Sequence, residues 1–561
     1  MQSVWIWLVA LTGIGLVFLL VNWQSIIKLA VKKLFQSFMT VLMTDPYKEN
    51  LAELFSAAKR TGLLDILQLN LRAQEGKVIE RPLGSSRKFP DFSGLMFDVA
   101  QLHIFPTEAS TVVDTKVTLG PLAKKPLILD TPLIVSGMAF GLALSAKAKI
   151  ALARGAAMAG TAISSGQGPF LQAERDNSKY WMLQYSRGFW SKEPEILRLA
   201  DAVEIQLGQG AMAGLSHSMK AKDIDQPLQQ AFPISPGREA VVKARHQELQ
   251  KPEDLSALVE YIRNITDGVP VGVKMACSKD LELDLEIALQ AGVDFIALGG
   301  VQAGTHAAPP SLGDNFGLPI LYALVRAVRF LEERQAKDRL TLIASGGFSE
   351  PGEMLKALAL GADAIYTGTA ALFAISHTQV LQALPWEPPT QIVWYNSKYS
   401  QRYDENLGAR NLANFINSCT LEMSDGVRVL GKTALGQVTR QDLYALDPLT
   451  ADIVGVPLGY HPSPPVRRSN NKPNVPSKIP LGTGAQTQAG LKQVPAASES
   501  AVPVAPARRL RPNRAGLGTN LQGVIQQPDK SKFPLSSTGP SLSGRNGYPI
   551  VKRERNRPRV P

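Results

Sequence analysis

The sequence predicts an α/β protein: a closed (β/α)8 TIM barrel with an N-terminal transmembrane helix and a disordered basic C-terminal tail. Three observations carry this prediction. From Pro132 onward, short runs rich in β-branched residues alternate with stretches whose apolar residues recur at helical spacing. Val4–Trp23 holds no charged residue over 20 positions, about the length needed to cross the hydrocarbon core as a helix. Beyond Pro462 the chain turns to Pro, Ser, Gly and basic residues, a composition that cannot repay the entropy of ordering.

At 561 residues and 45% hydrophobic, the chain is long and apolar enough for a large core. The net charge of +12 suggests nucleic acid until it is located: residues 463–561 carry 17 Lys or Arg against 3 Asp or Glu, so the remainder sums to about −2. A nucleic-acid partner is therefore not expected. Cys277 and Cys419 cannot make a disulfide framework, and six scattered histidines show no metal-ligand spacing, which fits a reducing compartment.

Residues 1–24 read as the span. No basic stretch precedes the apolar run, no small-x-small site comes after it, and tryptophans at both ends suit interfacial anchors, so a cleaved signal peptide is disfavoured. Lys28, Lys32 and Lys33 come next, and the positive-inside rule places the chain beyond the span in the cytoplasm, as in a single-pass membrane protein. Residues 25–90 form a helical stalk, with Ile26, Ile27, Ala30, Val31, Leu34 and Phe35 as an apolar stripe lying on the membrane face. The third domain, 91–462, opens with a lead-in β region from Phe92 to Ile128, in which TVVDTKVTL (111–119) alternates as a strand.

Eight barrel strands come next: Leu133–Val135, Thr161–Ser164, Met182–Tyr185, Val203–Leu207, Val271–Lys274, Asp294–Leu298, Thr341–Ala344 and Ala364–Tyr366. Eight βα units over roughly 245 residues match the usual size of a closed barrel. A doubly wound open sheet is the alternative. Strands five and six flank a helix, Lys279–Ala291, with Ser278 as its N-cap; strand five ends on Lys274, and strand six runs into a loop containing Gly300. Parallel strands place their ligand-binding groups at their C-terminal ends, so Lys274 and that loop share one mouth.

The loops after strands seven and eight, Ser345-Gly346-Gly347 and Gly368-Thr369, sit where barrels bind phosphate, and glycine lets backbone N–H groups approach an anion. Earlier loops supply Met138 and Ala139, Ser164 and Gln167, and Gln209. Close backbone approach, amide groups and a cation together suit flavin mononucleotide, FMN.

The run from about Phe92 to Pro462 resembles the FMN-binding synthase domain of glutamate synthase, and the shorter membrane-anchored proteins that carry this domain alone. The matching motifs are SGMAFG (Ser136–Gly141), SSGQG (Ser164–Gly168), EIQLGQGA (Glu204–Ala211), VKM (Val273–Met275), GGVQAGTHAAP (Gly299–Pro309), ASGGF (Ala344–Phe348) and TGTAAL (Thr367–Leu372). The resemblance implies an oxidoreductase of the CH-NH2 class: a 2-oxo acid, 2-oxoglutarate, condenses with ammonia and is reduced by FMN to L-glutamate. It implies Lys274 against flavin and substrate, Gln209 and Ser164 near the ring, and the seventh and eighth loops on the phosphate. The chain departs from the family pattern at Gln167, where a glutamate is usual, and at His306, within a loop that usually reads GTGAS; Lys274, Gln167 and His306 are the catalytic candidates.

The cysteine-rich loop that ligates an iron–sulfur cluster is absent, since Phe373–Val393 has no cysteine, so no such cluster is expected. Neither a glutaminase domain nor a GxGxxG fingerprint is present, which implies free ammonia and an unidentified electron-donor protein. A non-catalytic flavin-binding membrane scaffold, or an FMN barrel acting on a different substrate, are the alternatives. A 2-hydroxy-acid oxidase would want a late His and Arg pair, and an IMP dehydrogenase-like site a cysteine in the sixth loop; neither is evident. In the fourth region, 463–561, Lys552–Arg559 (KRERNRPR) suits anionic lipid or an acidic partner.

Overall fold

The computed structural model describes residues 2–306, 308–384 and 388–461, with backbone alone for most of residues 2–21. Its centre is a closed barrel of eight parallel strands. These are β1 (Leu133–Val135), β2 (Ala162–Ser164), β3 (Tyr180–Tyr185), β4 (Ala202–Gln206), β5 (Val271–Ala276), β6 (Phe295–Gly299), β7 (Thr341–Ser345) and β8 (Ala364–Thr367). Neighbours in sequence pair in space, and β8 closes on β1 through Ile365↔Leu133 and Thr367↔Val135. The open-sheet alternative is thereby excluded. All eight expected strands are present, with ends moved by at most two residues.

One of those shifts matters. β5 continues beyond Lys274 to Ala276, whose partner is Gly299, so Lys274 is an interior strand residue rather than a strand end. Successive strand residues face opposite ways, and Val271, Val273 and Met275 join the layer under the helices while Gly272, Lys274 and Ala276 alternate with them. Lys274 therefore points into the barrel, 2% exposed.

Helices α1 (Ala146–Met158), α2 (Gln172–Asp176), α3 (Pro194–Leu197), α4 (Asp254–Ile265), α5 (Leu281–Gln290), α6 (Ile320–Glu333), α7 (Pro351–Ala359) and α8 (Thr369–Ser376) succeed the strands in turn. Ser145 caps α1 by accepting from the Ala148 N–H. The expected cap Ser278 instead stands two residues before the cap of α5: its hydroxyl accepts from the Asp280 N–H, and Asp280 takes the cap position without a side-chain bond. A long helix, Glu405–Val429, lies along α1, so close that a Cβ on Gly155 would sit 2.8 Å from the Leu412 side chain.

The lead-in region is smaller than expected. Only Val117–Leu119 of the alternating run is a strand; it pairs antiparallel with Leu127–Leu129, while Leu95–Phe97 pairs with Leu443–Ala445. Leu119, Leu127 and Leu129 pack with the inward residues Ile134, Ala162, Met182, Phe295 and Ile343, so this hairpin closes the N-terminal end of the barrel with apolar side chains. The ligand mouth must then be at the other end.

Before the barrel, one helix runs Gln2–Thr44, succeeded by helices Ala52–Thr61 and Leu63–Glu75, which bury no residue. Among the described residues no helix is long and apolar enough to cross a membrane, and most side chains of the expected span, Val4–Trp23, lie outside those described. The helical stalk is shorter than its expected extent: helix stops at Glu75, and residues 77–90 form a strap over the barrel. The basic tail, 463–561, lies outside the described residues.

β4 and α4 are separated by a long loop bearing a two-stranded ribbon, His217–Met219 with Ala240–Val242. His246 anchors its far end: the ring is 1% exposed, and its Nε2 meets the Gln206 carbonyl at 2.8 Å. Burial foremost, with the nearby Lys192 charge, holds this imidazole down at about 4. An unfolded histidine titrates near ~6.5, so between those values the unfolded chain takes a proton that the folded one refuses. The contribution is complete above pH ~6.5 and is lost as pH falls toward 4, by on the order of 3 kcal/mol. His246→Gln should remove this loss, so that between pH 7 and pH 4 the parent loses about that much relative to the variant in urea unfolding. Equal pH dependence of the two proteins would show that the ring is not held neutral.

Candidate active site

A cavity of ≈ 1430 Å3 opens at the C-terminal mouth, walled by the loops after β1, β2, β4, β6, β7 and β8. Ligand pockets commonly enclose about 300–1,000 Å3, so there is room for a cofactor and a substrate together. Its floor is polar because the upper inward layer of the barrel is polar: Gln184 from β3, Glu204 and Gln206 from β4, Lys274 from β5 and Tyr366 from β8 are all 2% exposed or less.

Glu204 organises that layer. Gln184 Nε2 donates to its Oε1 at 2.6 Å, and the Tyr366 hydroxyl donates to its Oε2. Lys274 Nζ lies 5.0 Å from the centre of the Tyr366 ring and donates one long bond, 3.4 Å, to Ser136 Oγ. Burial lowers the Lys274 pKa, and the Glu204 carboxylate opposes that shift. Burial first, then Glu204, raises the Tyr366 hydroxyl well above its ordinary value, so it stays a proton donor. An ammonium with three donors and one long bond has capacity left for an anionic ligand.

Other buried polar atoms also await partners. Ser164 Oγ, Gln167 Oε1 and both amide atoms of Gln206 have no hydrogen-bond partner in the protein. Native interiors leave few such atoms, and of these residues Gln167 lines the cavity, where its amide oxygen can meet a ligand's polar edge. In the loops after β7 and β8, Gly346 (φ +147) and Gly347 (φ +79) adopt backbone conformations that side chains disfavour, and Gly368 opens α8. Backbone N–H groups of such glycine turns, with the helix dipole, suit a phosphate.

Met138, Ala139, Gln167, Gln209, Lys274, His306, Ser345, Gly346, Gly347, Gly368 and Thr369 all line the cavity. Two expected cofactor residues do not. Ser164 is wholly buried behind Gly137, and Gly300 is packed against Ile320, where a Cβ would meet Ile320 Cβ at 2.6 Å. The sixth loop therefore needs Gly300 for close packing beneath the site.

His306 stands at the rim beside Trp394, ring centres 5.5 Å apart. Its ring opens to the cavity yet is crowded by protein; desolvation, then His217, lowers it to about 4. His217, Lys220 and Lys222, from the ribbon after β4, share this rim, and Leu83 and Ser85 of the strap complete it. The strap is bonded to the sixth loop: the Arg81 and Ala308 N–H groups each donate to the other's carbonyl, at 2.9 and 3.1 Å, and the Leu83 N–H donates to the Thr305 carbonyl. Arg81 and Ser85 also meet the Asp314 carboxylate.

The conserved region in glutamate synthase matches residues 97–433 of this chain. The chain belongs to the glutamate synthase family. A "Glutamate synthase large subunit-like protein" of Rhizobium meliloti (strain 1021) is 34% identical over 427 residues, 73% of this chain and 93% of the relative. An "Archaeal-type glutamate synthase (NADPH)" of Thermotoga sp. (strain RQ2) is 30% identical over 340 residues, 60% of this chain but only 65% of the relative. An "Archaeal glutamate synthase (NADPH)" of Archaeoglobus fulgidus is 30% identical over 308 residues, covering 60% of that protein. The chain thus spans less than two thirds of these archaeal-type relatives. A mutant flavocytochrome b2 with pyruvate bound overlaps at TM-score 0.42 and 18% identity over 68% of this chain and 84% of that one, too loosely to bear on the site.

Within this glutamate synthase-like domain, the residues that sequence reasoning passed over are Gln184, Glu204, Gln206 and Tyr366. Their signal was available: in Ala202–Gln206, AVEIQ, two polar residues alternate with apolar ones, which in a barrel strand means polar side chains facing inward. Tyr366→Phe would leave one buried Glu204 oxygen without its donor, at a cost of about 1–3 kcal/mol. Urea denaturation at pH 7 should show that loss with the barrel's circular dichroism retained. An unchanged midpoint would mean that the hydroxyl does not hold Glu204.

Proposed function

We propose that this protein is an FMN-dependent oxidoreductase that converts a 2-oxo acid, 2-oxoglutarate or a relative of it, and ammonia into the amino acid. The observation that carries this reading is one cavity lined both by the buried Lys274 and by the glycine loops after β7 and β8. A cation and an anion cradle on one cavity wall suit the ring and the phosphate of a flavin nucleotide. Gln167 Oε1, a buried acceptor on the cavity wall without a protein partner, fits a donor on the edge of such a ring. When bound, FMN would supply a hydride to the imine carbon formed as the oxo acid and ammonia lose water.

The remaining steps belong to the protein. Lys274 places a fixed positive charge in a dry site, where it stabilises negative charge far better than in water. The Glu204 carboxylate favours the charged form of that ammonium against burial, and Ser136 Oγ accepts its bond. The backbone of Ser345–Gly347 and Gly368–Thr369 receives the phosphate, and Lys220 and Lys222 at the rim favour entry of an anionic substrate. Gln167 offers an amide rather than a carboxylate, and His306 a neutral imidazole, so neither adds negative charge where a carboxylate substrate enters. These two residues also favour a second reading, an oxo acid other than 2-oxoglutarate.

Electrons come from a separate donor protein, and ammonia is free, in this reading. We also propose attachment to a membrane through Val4–Trp23, with the barrel on the cytoplasmic side. The apolar residues Leu54, Phe55, Leu63 and Leu67 of the next two helices are exposed and suit a lipid surface beside them.

Purified protein should show a flavin absorbance spectrum, and chemically reduced enzyme with ammonium and 2-oxoglutarate should form glutamate. Lys274→Ala should retain the fold and lower turnover by about 10²-fold. A protein without bound flavin, or a variant with full turnover, would remove the reading or the role of Lys274. Product from another 2-oxo acid alone would select the second reading.

A further inference from the structure

A buried ion pair behind the first two loops takes part in none of these steps. Lys149, on α1, donates to the Met138 carbonyl at 2.6 Å and to the Ser165 carbonyl at 3.0 Å, and faces Glu174 Oε1 of α2 at 2.9 Å. The two side chains are 0% and 2% exposed. One ammonium thus joins the loop after β1, the loop after β2 and the helix beyond it.

Those loops lie backbone on backbone. A Cβ on Gly166 would stand 2.5 Å from Ala139 N, and one on Gly168 would stand 2.4 Å from the Phe140 carbonyl oxygen. The Met138 and Ser165 carbonyls converge on one point, where their partial negative charges repel unless a cation sits between them. Stability alone does not explain the arrangement, since a buried pair replaced by apolar residues often leaves a fold as stable or more so. Burial pushes the Glu174 carboxyl up to about 7 against the pull of Lys149, so this carboxylate is held at some cost. What the pair does secure is the relative position of two loops that place Met138, Ala139 and Gln167 on the cavity wall.

We propose that Lys149, through its two carbonyl bonds, is a positioning residue that locks the first two loops into one rigid platform for the flavin ring. The proposal rests on the FMN reading, but part of its test does not. The full-length protein is compared with Lys149→Met/Glu174→Leu, which removes both charges together and strands neither, and with Glu174→Gln, which keeps the ammonium and its two carbonyl bonds. Hydrogen exchange of residues 136–141 and 164–168 is measured without flavin, FMN affinity by fluorescence, and thermal unfolding alongside.

The double variant should unfold near the parent temperature while these loops exchange at least tenfold faster and FMN binds at least tenfold more weakly. Glu174→Gln should stay close to the parent in both readouts. Parent-like loop exchange and FMN affinity in the double variant would overturn the proposal. If the double variant does not fold, Lys149→Arg carries the same expectation, because a planar guanidinium fork cannot stand where one ammonium nitrogen meets three surrounding acceptors. A parent that binds no flavin would sink the FMN reading, while loop exchange would still decide whether Lys149 locks the platform.

Discussion

An ammonium group inside a β-barrel is the constraint on which the rest of the structure turns. Moving a charge from water into a dry interior is costly unless compensating groups are already in place, and for Lys274 they come from other strands. Tyr366 of β8 offers the face of its ring, Ser136 a hydroxyl, and Glu204 of β4 the opposite charge, itself held by Gln184 of β3. A slip of one residue in any of these strands would turn its member of the network outward. Barrel register and site chemistry are therefore one requirement, met by Lys274↔Gln206 on one side of β5 and Lys274↔Ala297 on the other.

The two ends of the barrel divide the remaining demands. At the N-terminal end the Val117–Leu129 hairpin seals the interior with leucines, which excludes water from beneath the polar layer. At the other end the loops have little regular structure and many glycines, so backbone as well as side chains such as Met138, Gln167 and Gln209 line the walls. The deep part of the cavity is built from strand residues, whose positions the barrel fixes. Its rim, with His306, Trp394 and the Lys220 ribbon, is built from loops that can differ between relatives without disturbing the fold.

Much of this was legible in the sequence, and for physical reasons. Most of the strands read as short, largely apolar runs rich in β-branched residues, which is why all eight could be marked, and glycine loops announce themselves because only glycine fits them. Lys274 was recognisable as a lone cation among apolar residues, but its place within β5 was not, since the two residues that extend the strand, Met275 and Ala276, carry no terminating signal. Gly300 carried the same motif signal whether it served ligand or packing, and only the proximity of Ile320 separates the two. Interactions between residues far apart in the chain, such as Lys149 with Glu174 or Arg81 with Asp314, have no local signature at all.

The strap has a consequence for how the protein is made. Arg81, Leu83 and Ser85 leave the ribosome more than 200 residues before their partners Thr305, Ala308 and Asp314. At roughly 5–20 residues per second, that segment waits on the order of tens of seconds without the loop it pairs with. The rim of the active site is thus completed only after the sixth strand has been synthesised, and a nascent chain stalled before that point would present an unpaired strap.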